Sequence, residues 1–278
     1  MKGNYCRRVI SFLLMVVATF ILLPPSLQAG EVLTIGGSGS AVGPFKILGE
    51  AFEKSHPGIK VNVLRSLGSS GALAALSKKA IDVAVIARAL NPEETNAGLS
   101  VMVYGRTPFV FIANSDVCVS NITTDEIIRI YRGETRIWPD GERIRIRLRT
   151  AWDAETIVLR SISPEMSKAV DLALVGHQAT ITLTSQDNAN HVEGTPGAFG
   201  YATLAQMVSE KRRLKILSFN GLVPGSKGFA NKHYPVSVPL ILVTGKNPSV
   251  SVQKITRFLL SPRGKRIMEE TGHLVTVR

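Results

Sequence analysis

Residues 31–86 read EVLTIGGSGSAVGPFKILGEAFEKSHPGIKVNVLRSLGSSGALAALSKKAIDVAVI, and their pattern decides the fold class. Glu31–Ile35 is a short apolar strand that runs into the Gly/Ser-rich stretch Gly36–Pro44. Phe45–Lys54 then sets Ile47, Leu48, Ala51 and Phe52 at helical spacing. Pro57 and Gly58 stop that helix, and Ile59–Leu64 alternates as a second strand. Ser66–Gly71 leads into Ala72–Lys79, rich in good helix formers, and Ile81–Ile86 is a nearly continuous apolar strand. Strand, Gly/Ser loop, helix and strand, twice over, describe βαβ units on a buried parallel sheet.

Outward from this stretch the alternation continues. Val101–Tyr104 and Phe109–Ala113 read as strands, and Thr124–Tyr131 as a helix with Asp125 and Glu126 in its first turn. Arg143–Arg149 alternates strictly, with Ile144, Ile146 and Leu148 on one face and four arginines on a face expected to be solvated. Helical spacing returns at residues 165–175, 204–210, 251–260 and 264–270, with a late strand at 240–243. Arg106–Asn114 and Tyr234–Thr244 each join an extended apolar run to a proline, as two crossings between lobes would. The expected organisation is one lobe from residues 30–111 and 240–278 and a second from 112–239.

The amino terminus carries Lys2, Arg7 and Arg8, then the apolar run Val9–Leu23, then Pro24, Pro25 and Leu27-Gln28-Ala29. That order describes a secretory signal peptide, residues 1–29, and so a periplasmic protein. The run is shorter than the roughly 20 residues a spanning helix requires, which argues against a retained anchor. Without Lys2, Arg7 and Arg8, the 33 Lys and Arg become 30 against an unchanged 21 Asp and Glu, a net charge of +9. Such a charge suits anionic solutes, nucleic acid or acidic surfaces. With only 6% aromatic residues and no nucleic-acid motif, base stacking is poorly supplied. Cys6 leaves with the signal, so Cys118 alone remains and no internal disulfide can form. His56, His177, His191, His233 and His273 show no metal spacing, and neither a metal nor a cofactor is expected.

The chemistry lies in the loops. Ser38-Gly39-Ser40 and Ser69-Ser70-Gly71 each sit between a strand and a helix start, at the sheet edge where open α/β folds place ligands. Helix starts offer unpaired N–H groups, glycine permits close approach, and serine adds a hydroxyl. Serine is equally an ordinary helix cap. Arg88 ends the third strand at the same edge, able to hold an oxyanion bidentately or to pair with Glu93 or Glu94. Enzyme readings fare worse. The glycines of Gly37–Gly43 miss the dinucleotide spacing, no phosphate-loop or G-x-S-x-G motif is present, and no histidine is placed to activate a serine.

These residues resemble the phosphate-type periplasmic substrate-binding proteins of ABC transporters. The likeness runs through the 36–61 opening, SLGSSGALAAL, IDVAVIARAL, RTPFVFIAN, TPGAFGYATL and the segment from Pro239 to Met268. It implies a two-lobed periplasmic binding protein fold (type II), each lobe a mostly parallel α/β sheet, with two hinge crossovers. It also implies capture of phosphate or a similar tetrahedral oxyanion, a membrane permease as partner, and a monomer. A non-transport sensor or scavenger on the same fold is the alternative. The resemblance assigns ligand contacts to Ser38, Gly39, Ser40, Ser69, Ser70, Gly71 and Arg88 in the first lobe, and to Arg149 and Thr156 in the second. Two departures stand out. Phosphate binders of the family carry an Asp near the place of Arg88 that accepts a proton from the ligand, whereas this chain has Ala87-Arg88. The second-lobe loop, normally neutral, here contains Asp153 and Glu155, which repel an anion unless protonated or turned away. Asp153 is placed to cap the following helix instead.

Overall fold

The computed structural model describes residues 30–176, 178–226 and 228–276. The signal peptide expected over residues 1–29, and His177, lie outside the described residues. In chain order the elements begin β1 (Glu31–Gly37), α1 (Gly39–Ser55), β2 (Ile59–Val63), α2 (Gly68–Ser77), β3 (Val83–Ile86), α3 (Pro92–Asn96) and β4 (Ser100–Ala113). There follow β5 (Asn121–Ile122), α4 (Thr124–Tyr131), β6 (Arg145–Arg149), α5 (Ala154–Arg160), α6 (Pro164–Val175), β7 (Ala179–Thr182), α7 (Ser185–Glu193), β8 (Ala198–Thr203) and α8 (Leu204–Ser209). The chain closes with β9 (Lys215–Ile216), β10 (Ser218–Phe219), β11 (Gly225–Ser226), β12 (Phe229–Ala230), β13 (Ser237–Thr244), α9 (Val250–Leu260), α10 (Pro262–Glu270) and β14 (Leu274–Val275).

The main sheet runs β2-β1-β3-β13-β4-β8-β6-β7. One strand belongs to both lobes. The stretch of β4 from Ser100 to Pro108 pairs with β13, and Phe109–Ala113 pairs with β8. The two strands expected at residues 101–104 and 109–113 are therefore one continuous crossing. β1, β2 and β3 are mutually parallel, as are β8, β6 and β7. β13 is antiparallel to both β3 and β4, and β8 is antiparallel to β4. Each lobe is thus less uniformly parallel than expected, because chain that leaves one lobe and returns beside itself must run in the opposite sense.

Each lobe has its own core. In the first, Ile35, Phe45, Leu48, Phe52, Tyr104 and Leu242 pack under α1 and α9. In the second, Phe109, Phe111, Tyr131, Leu148, Phe199 and Tyr201 form the largest apolar cluster. Each fully buried aromatic or aliphatic side chain contributes about 2 kcal/mol, so the strands that carry the site's loops are firmly anchored.

Two local readings differ from the structure. α1 begins at Gly39, not at Phe45, and encloses Pro44. Pro44 lies in the second turn, where it removes only the bond to the Ser40 carbonyl, so the helix starts inside the Gly/Ser stretch. The arginine face of β6 is not uniformly solvated either. Arg143 is exposed, Arg145 and Arg147 are half-buried, and Arg149 is only 3% exposed. The opposite face places Ile144, Ile146 and Leu148 in the core as the alternation requires.

Candidate functional site

β1 and β3 deliver the first-lobe loops side by side. The Ser38 N–H donates to the Val85 carbonyl at 2.8 Å. Gly37 permits this approach, since a Cβ there would stand 2.5 Å from the Val85 oxygen. Ser38 caps α1 through its backbone only, and its Oγ lies 2.9 Å from that of Ser40. The first-turn amides of Gly39 and Ser40 have no carbonyl within the helix to bond, and α1 has no acidic residue in that turn. This leaves a buried helix start with its positive end uncompensated by a side chain of its own.

That start faces the second lobe. A Cβ on Gly39 would lie 2.4 Å from Ser185 Cβ and 2.5 Å from its Oγ, at the first residue of α7. Gln186 Nε2 donates to the Gly39 carbonyl at 3.1 Å and to Glu210 Oε1 at 2.7 Å. The lobes are in contact here, and glycine is required for the fit.

At the start of α2, Ser69 Oγ accepts from the Ala87 N–H at 3.1 Å and Ser70 Oγ accepts from Arg88 Nη2 at 2.9 Å. Arg88, expected to grip an oxyanion, grips Glu94 instead. Its two Nη atoms reach the two carboxylate oxygens at 2.8 Å each, and Nη1 also donates to the Ala89 carbonyl. Asn91-Pro92-Glu93-Glu94 explains the pairing. It forms a capping box in which Asn91 and Glu94 exchange hydrogen bonds with each other's amides, fixing the carboxylate opposite Arg88. Arg88 in turn holds Glu94 below the usual carboxylate range.

In the second lobe, Arg149 ends β6 and is enclosed by acceptors. Nη1 donates to Ser185 Oγ at 2.5 Å, and Nη2 donates to Asp153 Oδ2 at 2.6 Å and to the Leu183 carbonyl at 3.2 Å. Its Nε is buried without a partner. Asp153 caps α5, accepting from the Glu155 N–H at 3.0 Å, as expected from the sequence. Glu155 is 1% exposed; Oε1 accepts from Ser185 Oγ at 3.3 Å, while Oε2 is buried and unpartnered. Burial, reinforced by the neighbouring Asp153 charge, pushes the Glu155 carboxyl up to about 8. Burial raises the Asp153 carboxyl as well, with Arg149 and the amides of Glu155 and Thr156 pulling it the other way. Thr156 is buried, its Oγ1 hydrogen-bonded with Tyr201 Oη at 2.6 Å, and that same oxygen accepts from the Arg149 N–H.

Between the lobes lies a cleft of about 280 Å3. Ser69, Ser70, Gly71 and Arg88 line it from one side, Arg149 and Asp153 from the other, with Trp152 exposed at its rim. Ser38, Gly39, Ser40 and Thr156 do not line it. The first three lie buried beside the lobe contact, and Thr156 stands behind Arg149 bracing Tyr201. Ser185, Gln186 and Tyr201 escaped the sequence reading as site residues, whereas Glu94 was one of the two partners it offered Arg88. Thr184-Ser185-Gln186-Asp187 did carry a signal, since Thr184 caps α7 by accepting from the Asp187 N–H. Nothing in spacing alone indicates that this cap meets Gly39.

The family model described as PBP superfamily domain matches residues 24–263. The chain is 24% identical over 278 residues to the phosphate-binding protein PstS of Borreliella burgdorferi, covering 96% of this chain and 98% of that one. It is 27% identical over 219 residues to PstS of Bacillus subtilis, covering 75% and 68%. Among solved structures it superposes with TM-score 0.74 on a Clostridium perfringens chain described as a phosphate ABC transporter substrate-binding protein with bound phosphate. That pair shares 20% identity over 89% of this chain and all of the other. An ABC-type phosphate transport receptor from Vibrio cholerae gives TM-score 0.61 at 21% identity, covering 88% of this chain and 100% of the other. These likenesses establish the two-lobed binding-protein fold.

Proposed function

Since this chain belongs to the PBP superfamily, we propose that it captures phosphate, or a tetrahedral oxyanion of similar size, outside the cytoplasmic membrane and delivers it to an ABC importer. One observation carries the reading. The lobe junction and the cleft beside it bring together Arg149, the Ser185 and Ser69 hydroxyls and the starts of α1, α2 and α7, donors at positive helix ends that stand beside the carboxyls of Asp153 and Glu155. The cleft between the lobes gives the anion its entry, and closing them would replace its hydration shell with fixed N–H and O–H groups. The description of two structural neighbours as a phosphate ABC transporter substrate-binding protein and an ABC-type phosphate transport receptor supports import over a sensor or scavenger role.

Binding, not turnover, is the proposed activity. Ser38, Ser40, Ser69, Ser70 and Ser185 find serine, arginine, glutamate or backbone partners, and none is hydrogen-bonded to a histidine. The lobes would act as a single chain that presents its closed form to a permease, after export directed by residues 1–29. Among the described residues no helix is long and apolar enough to cross a membrane. Thermal unfolding with phosphate, sulfate, molybdate and tungstate tests the reading. A ligand at about 100 times its Kd adds about 2.7 kcal/mol to the folded state, enough to raise the melting temperature by several degrees. An unchanged melting temperature with all four would refute oxyanion capture.

A further inference from the structure

Glu155 is a residue the donor-rich seat does not require. Around it stand Arg149 from β6, Asp153 at the cap of its own helix, Ser185 from α7, Tyr201 from β8 and Glu210 at the end of α8. Arg149 is the one cation of this group, and it is already engaged by Asp153. The Glu155 carboxyl reaches the junction through Ser185, whose Cβ and Oγ abut Gly39 at the start of α1. Its Oε2 is buried with no partner. Ionised, such an oxygen repels any anion beside Arg149, and it also competes for the Ser185 hydroxyl. Protonated, it carries no charge and releases that hydroxyl.

Resting on the oxyanion reading of this site, we propose that Glu155 couples anion capture to the uptake of one proton. The protonated carboxyl gives up its hold on the Ser185 hydroxyl, which is then free to donate to the bound oxyanion, and the ionised carboxylate excludes the anion by its charge near Arg149 and by keeping the Ser185 hydrogen for itself. The proton comes from solvent and returns there when the anion leaves. This supplies proton-dependent recognition that Ala87-Arg88 cannot, since Arg88 has no acceptor to offer. Burial keeps Glu155 protonated through neutral pH and lets it ionise near pH 8, which sets the range in which the coupling is visible.

The test compares dissociation constants for inorganic phosphate of the wild-type chain and Glu155→Gln from about pH 6 to about pH 9.5. Both proteins meet the same phosphate species at each pH, so the ratio of the constants isolates Glu155. The wild-type to variant ratio is expected to be flat below about pH 7 and to rise about tenfold by about pH 9, one proton's linkage. Calorimetry near pH 8.5, in buffers of differing ionisation enthalpy, should show the wild type taking up most of one proton more per phosphate than the variant, and Glu155→Thr serves as the reference if Glu155→Gln fails to fold. Phosphate binding with a flat ratio and equal proton uptake by the two proteins overturns the coupling while leaving the oxyanion reading intact. Failure of both proteins to bind phosphate at any pH overturns the reading, and the coupling with it.

Discussion

Gln186 Nε2, near the start of α7, donates to the carbonyl of Gly39, the first residue of α1, at 3.1 Å across the lobe boundary. The same nitrogen donates to Glu210, so one amide ties together three helix ends. Ser185 beside it fills the space a Cβ on Gly39 would need. These contacts join the two halves of the molecule, so parting the halves would break them.

Gln186→Ala removes that tie. A neutral hydrogen bond is worth about 1 kcal/mol net, so phosphate affinity should fall roughly fivefold. Titration calorimetry checks it, and an unchanged constant would mean the tie has no part in closure.

Gly39→Ala sets a methyl group against Ser185 Cβ, which no side-chain rotation relieves. Phosphate affinity should drop at least about tenfold below wild type, and Ser185→Gly in the same chain should bring it back to, and not beyond, the affinity of Ser185→Gly alone. Rescue of that kind is non-additivity between touching residues, readable in a double-mutant cycle of binding constants.

Arg149→Met leaves Asp153 buried without its cation. Stability in urea should fall by about 3 kcal/mol, in the range for breaking one side of a buried pair. Phosphate binding should vanish in the fraction that remains folded.

Acid should unfold the protein partly through His273. Its ring is buried, Nδ1 donates to the Met268 carbonyl at 3.0 Å, and burial pulls it down to about 4. Between pH 6.5 and pH 4 the unfolded chain holds the extra proton, so stability rises with pH there and is lost on acidification. The loss is of order 3 kcal/mol, and His273→Gln should flatten it in urea titrations across that window. Glu155 acts in the opposite sense. Its raised carboxyl binds the extra proton in the folded state, so its contribution falls as pH rises from 4.5 to about 8. Glu155→Gln should remove that decline.

Much of this was legible in the sequence, and the exceptions share a cause. The three first-lobe strands, the capping role of Asp153 and the burial of Ile144, Ile146 and Leu148 follow from local pattern. Pro44 concealed the early start of α1 because a proline usually marks a boundary, while in the second turn it removes a single bond. Arg149 read as a surface residue by alternation, but it stands at the strand end where α7 covers it. Arg88 carried two readings, and only the capping box at Asn91 and Glu94 decides for the ion pair. The junction of Gly39 with Ser185 and Gln186 joins segments far apart in the chain, which no local spacing encodes.

Titration of the purified chain lacking residues 1–29 with inorganic phosphate, followed by heat and repeated with Arg149→Met, decides whether this junction binds an oxyanion. Saturation at one phosphate per chain with a dissociation constant of about 1 μM or tighter is expected, and no saturation in the variant. Heat indistinguishable from dilution up to about 1 mM phosphate, or equal binding by both proteins, would contradict it.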